Sequence, residues 1–108
     1  MKLRRELRDH RTVLHLSGAL TANGVAAAQR ELLAALADVE DGLLDLSALH
    51  RIDGLGLQLL MLAKREALRE GRRLQLGGLS SAAREALQRC GLVGYFRDED
   101  SVAHFVSP

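Results

Sequence analysis

One stretch restricts the fold of this chain more than any other. Leu43-Leu44-Asp45-Leu46 is a short, mostly apolar run, and Ile52-Asp53-Gly54-Leu55-Gly56 follows as a glycine-bearing turn. A helical segment then runs from about Leu55 to Glu70, closed by Gly71 and followed by Arg73-Leu74-Gln75-Leu76. A brief apolar run bounded by polar turns suits a strand buried within a sheet. The helix is nearly all apolar from Leu55 to Ala63, then wet on one face across Lys64-Arg65-Glu66 and Arg69-Glu70. That gradient suits a helix that starts at the carboxyl edge of a sheet and runs back across it. Gly71 fits the left-handed position after a helix, and Lys64 and Arg69 lie toward the negative end of the helix dipole. Strand, helix and strand in this order predict a right-handed crossover between parallel neighbours.

The flanking sequence extends the same architecture. Val13-Leu14-His15-Leu16 has strand character, with imperfect alternation that leaves one face only partly buried. Thr21 or Asn23 is placed to cap a helix in which Val25, Ala28, Leu32 and Leu36 recur at helical spacing, ending near Ala37. Ser80 or Ser81 is placed to cap a last main helix with Ala83, Leu87 and Cys90 on one face and Gly91 closing it. The tail, with Tyr95, Phe96 and Val102-Ala103-His104-Phe105, suits an edge strand or a short final helix. The expectation is one α/β domain over residues 1–108, its core spanning about residues 13–96 with a short extension at 97–108. Its sheet is mostly parallel, four- to five-stranded, with helices mainly on one face.

Composition narrows the functional classes. The net charge is +1, unevenly spread: residues 1–11 carry five basic and two acidic side chains, residues 12–63 two and six. That balance is far from a nucleic-acid binder's, and with Tyr95, Phe96 and Phe105 the only aromatic residues there is no stacking platform. The basic start reads as a solvated first strand or a frayed end. No apolar run approaches the roughly 18 residues of a membrane helix, and the charged start is not a secretory signal. A cytoplasmic protein without membrane insertion is expected. Cys90 is the sole cysteine, which excludes an intramolecular disulfide, and its helical register predicts a buried, inert thiol. His10, His15, His50 and His104 share no metal-ligand spacing and read as ordinary surface or half-buried histidines; no metal is expected.

The turn at Asp53 holds most of the chemistry. Two glycines there permit close backbone approach or positive φ, and the amides that follow are unpaired at a helix start. Asp53 reads first as an N-cap favoured by the dipole, and second as an acidic knob presented to a partner. Catalysis by a lone aspartate is the least favoured of the three readings. Gly54-Leu55-Gly56 lacks the third glycine of a dinucleotide fingerprint and the Lys-Ser/Thr of a phosphate loop, so no cofactor is expected. Ser47 and Ser80 read as turn or cap residues, and Asp45, inside a strand, as pointing out at the sheet end or capping a loop amide. A small enzyme would need acid, base and nucleophile converging on a pocket, and the carboxyl end of this sheet offers Asp53, Ser47, Thr21 and little else.

These residues resemble the signature of STAS domains, the family of bacterial anti-sigma-factor antagonists. Asp45-Leu46-Ser47-Ala48-Leu49 and Ile52-Asp53-Gly54-Leu55-Gly56-Leu57-Gln58-Leu59-Leu60 carry the likeness. Glu70-Gly71-Arg72-Arg73-Leu74-Gln75-Leu76 and Ser80 to Leu87, closing at Gly91-Leu92, continue it. The resemblance implies a four-stranded, mostly parallel sheet with one antiparallel edge strand, no active site, and in many members a Ser or Thr phosphorylated by a kinase in an Asp-Ser/Thr-x-Gly-Leu turn. Asp53, Gly56 and Leu57 match that turn, and Gly54 stands where the hydroxyl would be, so switching by phosphorylation at this position is expected to be absent. A slipped alignment would instead put Asp53 at the phosphoserine position, with about −1 charge against −1.5 to −2.

The resemblance further implies a non-enzymatic interaction module that binds through Asp53, Gly54, Leu55 and Gly56. Its partner would be a switch kinase or anti-sigma factor, or a chemotaxis or two-component protein. Alternatively it would be a small cytoplasmic STAS subunit on the ATPase of a phospholipid-transporting ABC complex, a contact that asks for an apolar patch beside the turn. A weak homodimer is compatible with either. Replacing Gly56 with arginine is expected to abolish partner capture while leaving the protein folded.

Overall fold

The computed structural model describes residues 1–91. The expectations for the tail beyond Gly91, its three aromatic residues and His104 included, lie outside the described residues. Four strands, β1 (Lys2–Arg8), β2 (Arg11–Leu20), β3 (Asp41–Ile52) and β4 (Arg73–Gly77), form one sheet in the order β1-β2-β3-β4. Three helices, α1 (Val25–Leu36), α2 (Gly54–Arg69) and α3 (Ser81–Arg89), pack on one face of it. The first strand pair is antiparallel, and both β2–β3 and β3–β4 are parallel.

The basic start forms a complete edge strand. Arg8 pairs with Arg11 across a two-residue turn in which Asp9 and His10 both take positive φ, 51° and 66°. Two such residues give a turn whose twist matches the paired strands, and aspartate is among the side chains that tolerate the conformation. The sheet therefore begins at Lys2.

Alternation along the strands divides the two faces. Leu14 and Leu16 of β2, Leu44 and Leu46 of β3, and Leu74 and Leu76 of β4 point to the helices and are buried. Leu32 of α1, Leu60 of α2 and Leu87 of α3 close the same core. The opposite face carries Val13, His15, Leu43, Asp45 and Gln75, whose registers line up across β2, β3 and β4.

Three local expectations are corrected. Helix α1 begins at Gly24, which sits in the left-handed region at φ 98° with no side-chain cap; Thr21 instead donates its hydroxyl toward the Asn23 carbonyl. Lys64 is buried rather than wet, and its Nζ donates to the Leu74 carbonyl at 3.2 Å. Its aliphatic stem lies in the core while the ammonium serves a backbone oxygen of edge strand β4, a way for a lysine to cover apolar surface. Cys90 is exposed, because α3 ends at Arg89 and the cap residue at φ −91° leaves the helical register that would have buried it. The caps at Ser80 and the left-handed closures at Gly71 and Gly91 are as expected.

Candidate functional site: the turn at the carboxyl edge of the sheet

Parallel pairing of β2 and β3 brings two loops together at their carboxyl ends. Leu20 is in register with Ile52, so the segment leading into α1 lies beside the start of α2. Asp53 joins the two. Its Oδ1 accepts the Gly56 N–H at 3.0 Å, the capping bond expected from sequence, and its Oδ2 accepts the Ala22 N–H at 2.8 Å. Its own N–H donates to the Leu20 carbonyl at 3.3 Å. The Ala22 N–H first, then the Gly56 N–H, hold the Asp53 carboxyl below the usual carboxylate range. The carboxylate is thus spent on backbone amides of two loops.

The two glycines differ. Gly54 is exposed, and a Cβ placed on it would meet nothing within 4 Å. Gly56 is buried; a Cβ there would fall inside the carbonyl oxygen of Leu20 and 2.9 Å from Ile52 Cγ1. Gly56 therefore lets α2 close on the end of β2, which is the close-approach role rather than a surface one. An arginine at this position would displace the helix, so the expectation of a folded Gly56→Arg protein is corrected.

Leu55 lies between them and is 44% exposed, one of few large apolar side chains so placed among the described residues. A groove of about 340 Å³ between α1 and α2 continues from it, lined by Val25, Leu59, Met61 and Leu62 with Gln29, Gln58 and Arg65. The face presented at this end of the molecule is a fixed turn backed by an apolar channel. A second hollow of about 390 Å³ lies at the far end of the same helices, where Arg72 donates to the Leu36 carbonyl at 2.6 Å and pairs with Glu70. Neither hollow brings a nucleophile to a base. Ser47 has its N–H on Asp45 at 3.0 Å, shaping the irregular pairing where β3 inserts a residue against β2. Among the described residues no three His, Cys, Asp or Glu side chains gather as metal ligands, and no helix is long and apolar enough to cross a membrane.

The sequence matches the family model described as Mlab, STAS domain, over residues 3–98. Among solved structures, an anti-sigma factor antagonist from Mycobacterium paratuberculosis superposes with a TM-score of 0.76 at 24% identity, covering 89% of this chain and 82% of that one. The Bacillus cell fate determinant SpoIIAA in its phosphorylated form gives a TM-score of 0.64 at 22% identity over 92% and 94% of the two chains. A sulfate transporter family protein from Wolinella succinogenes gives 0.65 at 22% identity over 85% and 78%. At these identities the likeness is one of fold. No curated protein matches the sequence.

Proposed function

The chain belongs to the STAS-domain family, and on that premise we propose that it binds its partner constitutively, through the Asp53-Gly54-Leu55 turn and the groove that continues from it. It is a non-enzymatic protein-interaction module of the anti-sigma-factor-antagonist superfamily. The observation that carries the finer reading is Leu55, 44% exposed beside a turn that Asp53 fixes with two backbone hydrogen bonds. A preordered turn loses little entropy on docking, and an exposed leucine running into an apolar channel supplies the central contact. Gly54 offers no oxygen to a kinase, so the surface stands permanently in its unmodified form. Gly56 supports the surface from beneath.

The partner we propose is cytoplasmic: a switch kinase or anti-sigma factor, or a two-component protein, read from the likeness of the turn. The groove beside Leu55 favours a second reading. An apolar channel of about 340 Å³ suits a larger and more permanent contact, such as that of a small STAS subunit on the ATPase of a phospholipid-transport complex.

Affinity capture from the native lysate with tagged wild-type protein and Leu55→Glu tests both. Gly54→Arg, which points into open space, replaces Gly56→Arg as the second control. An ATPase recovered together with a membrane permease, and lost with Leu55→Glu, supports the transport reading. A kinase-like or chemotaxis protein lost in the same way supports the signalling reading. Equal recovery by wild type and both folded variants overturns the turn as the binding surface.

A further inference from the structure

On the sheet face away from the helices, one imidazole touches two carboxylates. His15 Nδ1 lies 2.7 Å from Asp45 Oδ2, and its Nε2 lies 2.6 Å from Glu6 Oε1. The three residues come from β2, β3 and β1, so the ring spans the sheet from its edge to its centre. The His15 side chain is only 17% exposed.

The proton count follows from the partners. An ionised carboxylate only accepts, and a neutral imidazole has a single N–H. Glu6 is held below the usual carboxylate range by His15 first and then by Arg8, whose guanidinium sits 2.9 Å away. At Asp45 burial pushes upward, but the Ser47 N–H, the Ser47 hydroxyl and His15 together outweigh it and keep that carboxyl low as well. With both acids ionised, two short contacts require both ring nitrogens to donate. Other charges bear on the ring. Arg4 is its direct cross-strand partner and Lys2 lies one step along the same face, both opposing a further positive charge. From β4, Gly77 lies in register with Asp45 and brings none, and the Arg11–Asp41 pair sits further down the face. The helices lie on the other side of the sheet.

We propose that His15, carrying both ring protons, staples edge strand β1 to central strand β3, and that loss of one ring proton releases β1. Beyond its ladder with β2, β1 is held by Leu3, which packs partly buried against the core, and by the exposed Arg5–Asp38 ion pair at 3.4 Å, while Leu7 is 76% exposed. When one nitrogen becomes a lone pair, its contact with a carboxylate turns repulsive. The edge yields before the centre, because β3 is paired on both sides. The device is acid-favoured: protonation of the ring closes it, until the carboxylates themselves are protonated at lower pH. Its release loosens the basic N-terminal edge, at a place remote in sequence from the turn at Asp53.

The test is nitrogen-detected NMR of the His15 ring with backbone hydrogen exchange on the full chain, from about pH 5 to about pH 8. Both ring nitrogens are expected to be protonated wherever the β1 amides are protected. Protection of those amides, relative to β3, is expected to fall on the order of tenfold as the ring loses a proton. In Glu6→Gln the amide side chain can donate to the ring, so a neutral imidazole satisfies both contacts and the pH dependence should vanish. A neutral ring in the protected state, a β1 protection that ignores the titration, or an unchanged dependence in Glu6→Gln would each overturn the staple.

Discussion

Two carboxylates, Asp53 and Asp45, are both held below their usual range, but by different means. Asp53 is held by backbone amides of Ala22 and Gly56. Asp45 is held by one backbone amide, a hydroxyl and a titratable ring. Backbone dipoles keep their protons at every pH, so the turn at Asp53 responds to pH only through the carboxylate itself. The cluster at Asp45 includes, on the staple proposed above, the His15 ring as well. A surface meant to stay presented is better built the first way, and an edge meant to loosen is better built the second.

The sharpest test of the turn's rigidity is Gly56→Ala. One methyl driven into the Leu20 carbonyl and against Ile52 should cost about 3 kcal/mol of stability, read by urea denaturation. A loss within 0.5 kcal/mol would mean that the turn yields readily, and the contrast with the open face would collapse. Asp45→Ala comes next. It removes the partner of the Ser47 amide and one side of the His15 bridge, and should cost about 1 kcal/mol after solvent screening of this partly exposed group. The cost should be larger where the ring carries both protons.

Acid titration compares the regions directly. Each of Asp53, Asp45 and Glu6 has a folded-state pKa below its unfolded one. Their contribution is therefore present above the unfolded values and is lost as pH falls through the lowered ones. Asp53→Asn should remove the part of this acid dependence that belongs to the turn and leave β1 exchange unchanged, whereas Glu6→Gln should do the reverse. Identical effects of the two variants on β1 exchange would show the regions to be one coupled unit.

Much of the turn was legible because its determinants are local. Asp53 caps an amide three residues on, and apolar periodicity marks α2 as the helix that packs behind it. The same locality explains Ser80, Gly71 and the C-terminal end of α1 at Ala37, but not its start, which Gly24 caps in place of Thr21 or Asn23. What escaped is non-local. Glu6, His15 and Asp45 stand 9 and 30 residues apart and meet only through the register of two strand pairs. Strand β1 is legible only as far as a solvated first strand or a frayed end, because its turn uses Asp9-His10 in place of a glycine and its charged side chains conceal the strand period. Lys64 was misplaced because its stem is apolar and its charge is not. The distinction between Gly54 and Gly56 also needed the fold: both permit a turn, but only one faces the end of β2.

That last pair gives the smallest expected effect and a clean separation of stability from recognition. Gly54 is exposed at the first position of α2, has no positive φ, and has open space where a side chain would go. Gly54→Ser should therefore change stability by no more than about 0.5 kcal/mol. Leu55→Asp, also on the surface, should change it as little while weakening partner capture at least about tenfold if the leucine is a central contact. Incubating Gly54→Ser with a kinase that phosphorylates related turns then asks a question the wild type cannot. Incorporated phosphate would show that the surface still fits such a kinase and that only the oxygen has been lost. A folded protein that takes no phosphate would show that the surface around the turn has diverged as well, and would favour the permanent, groove-based contact over the signalling one.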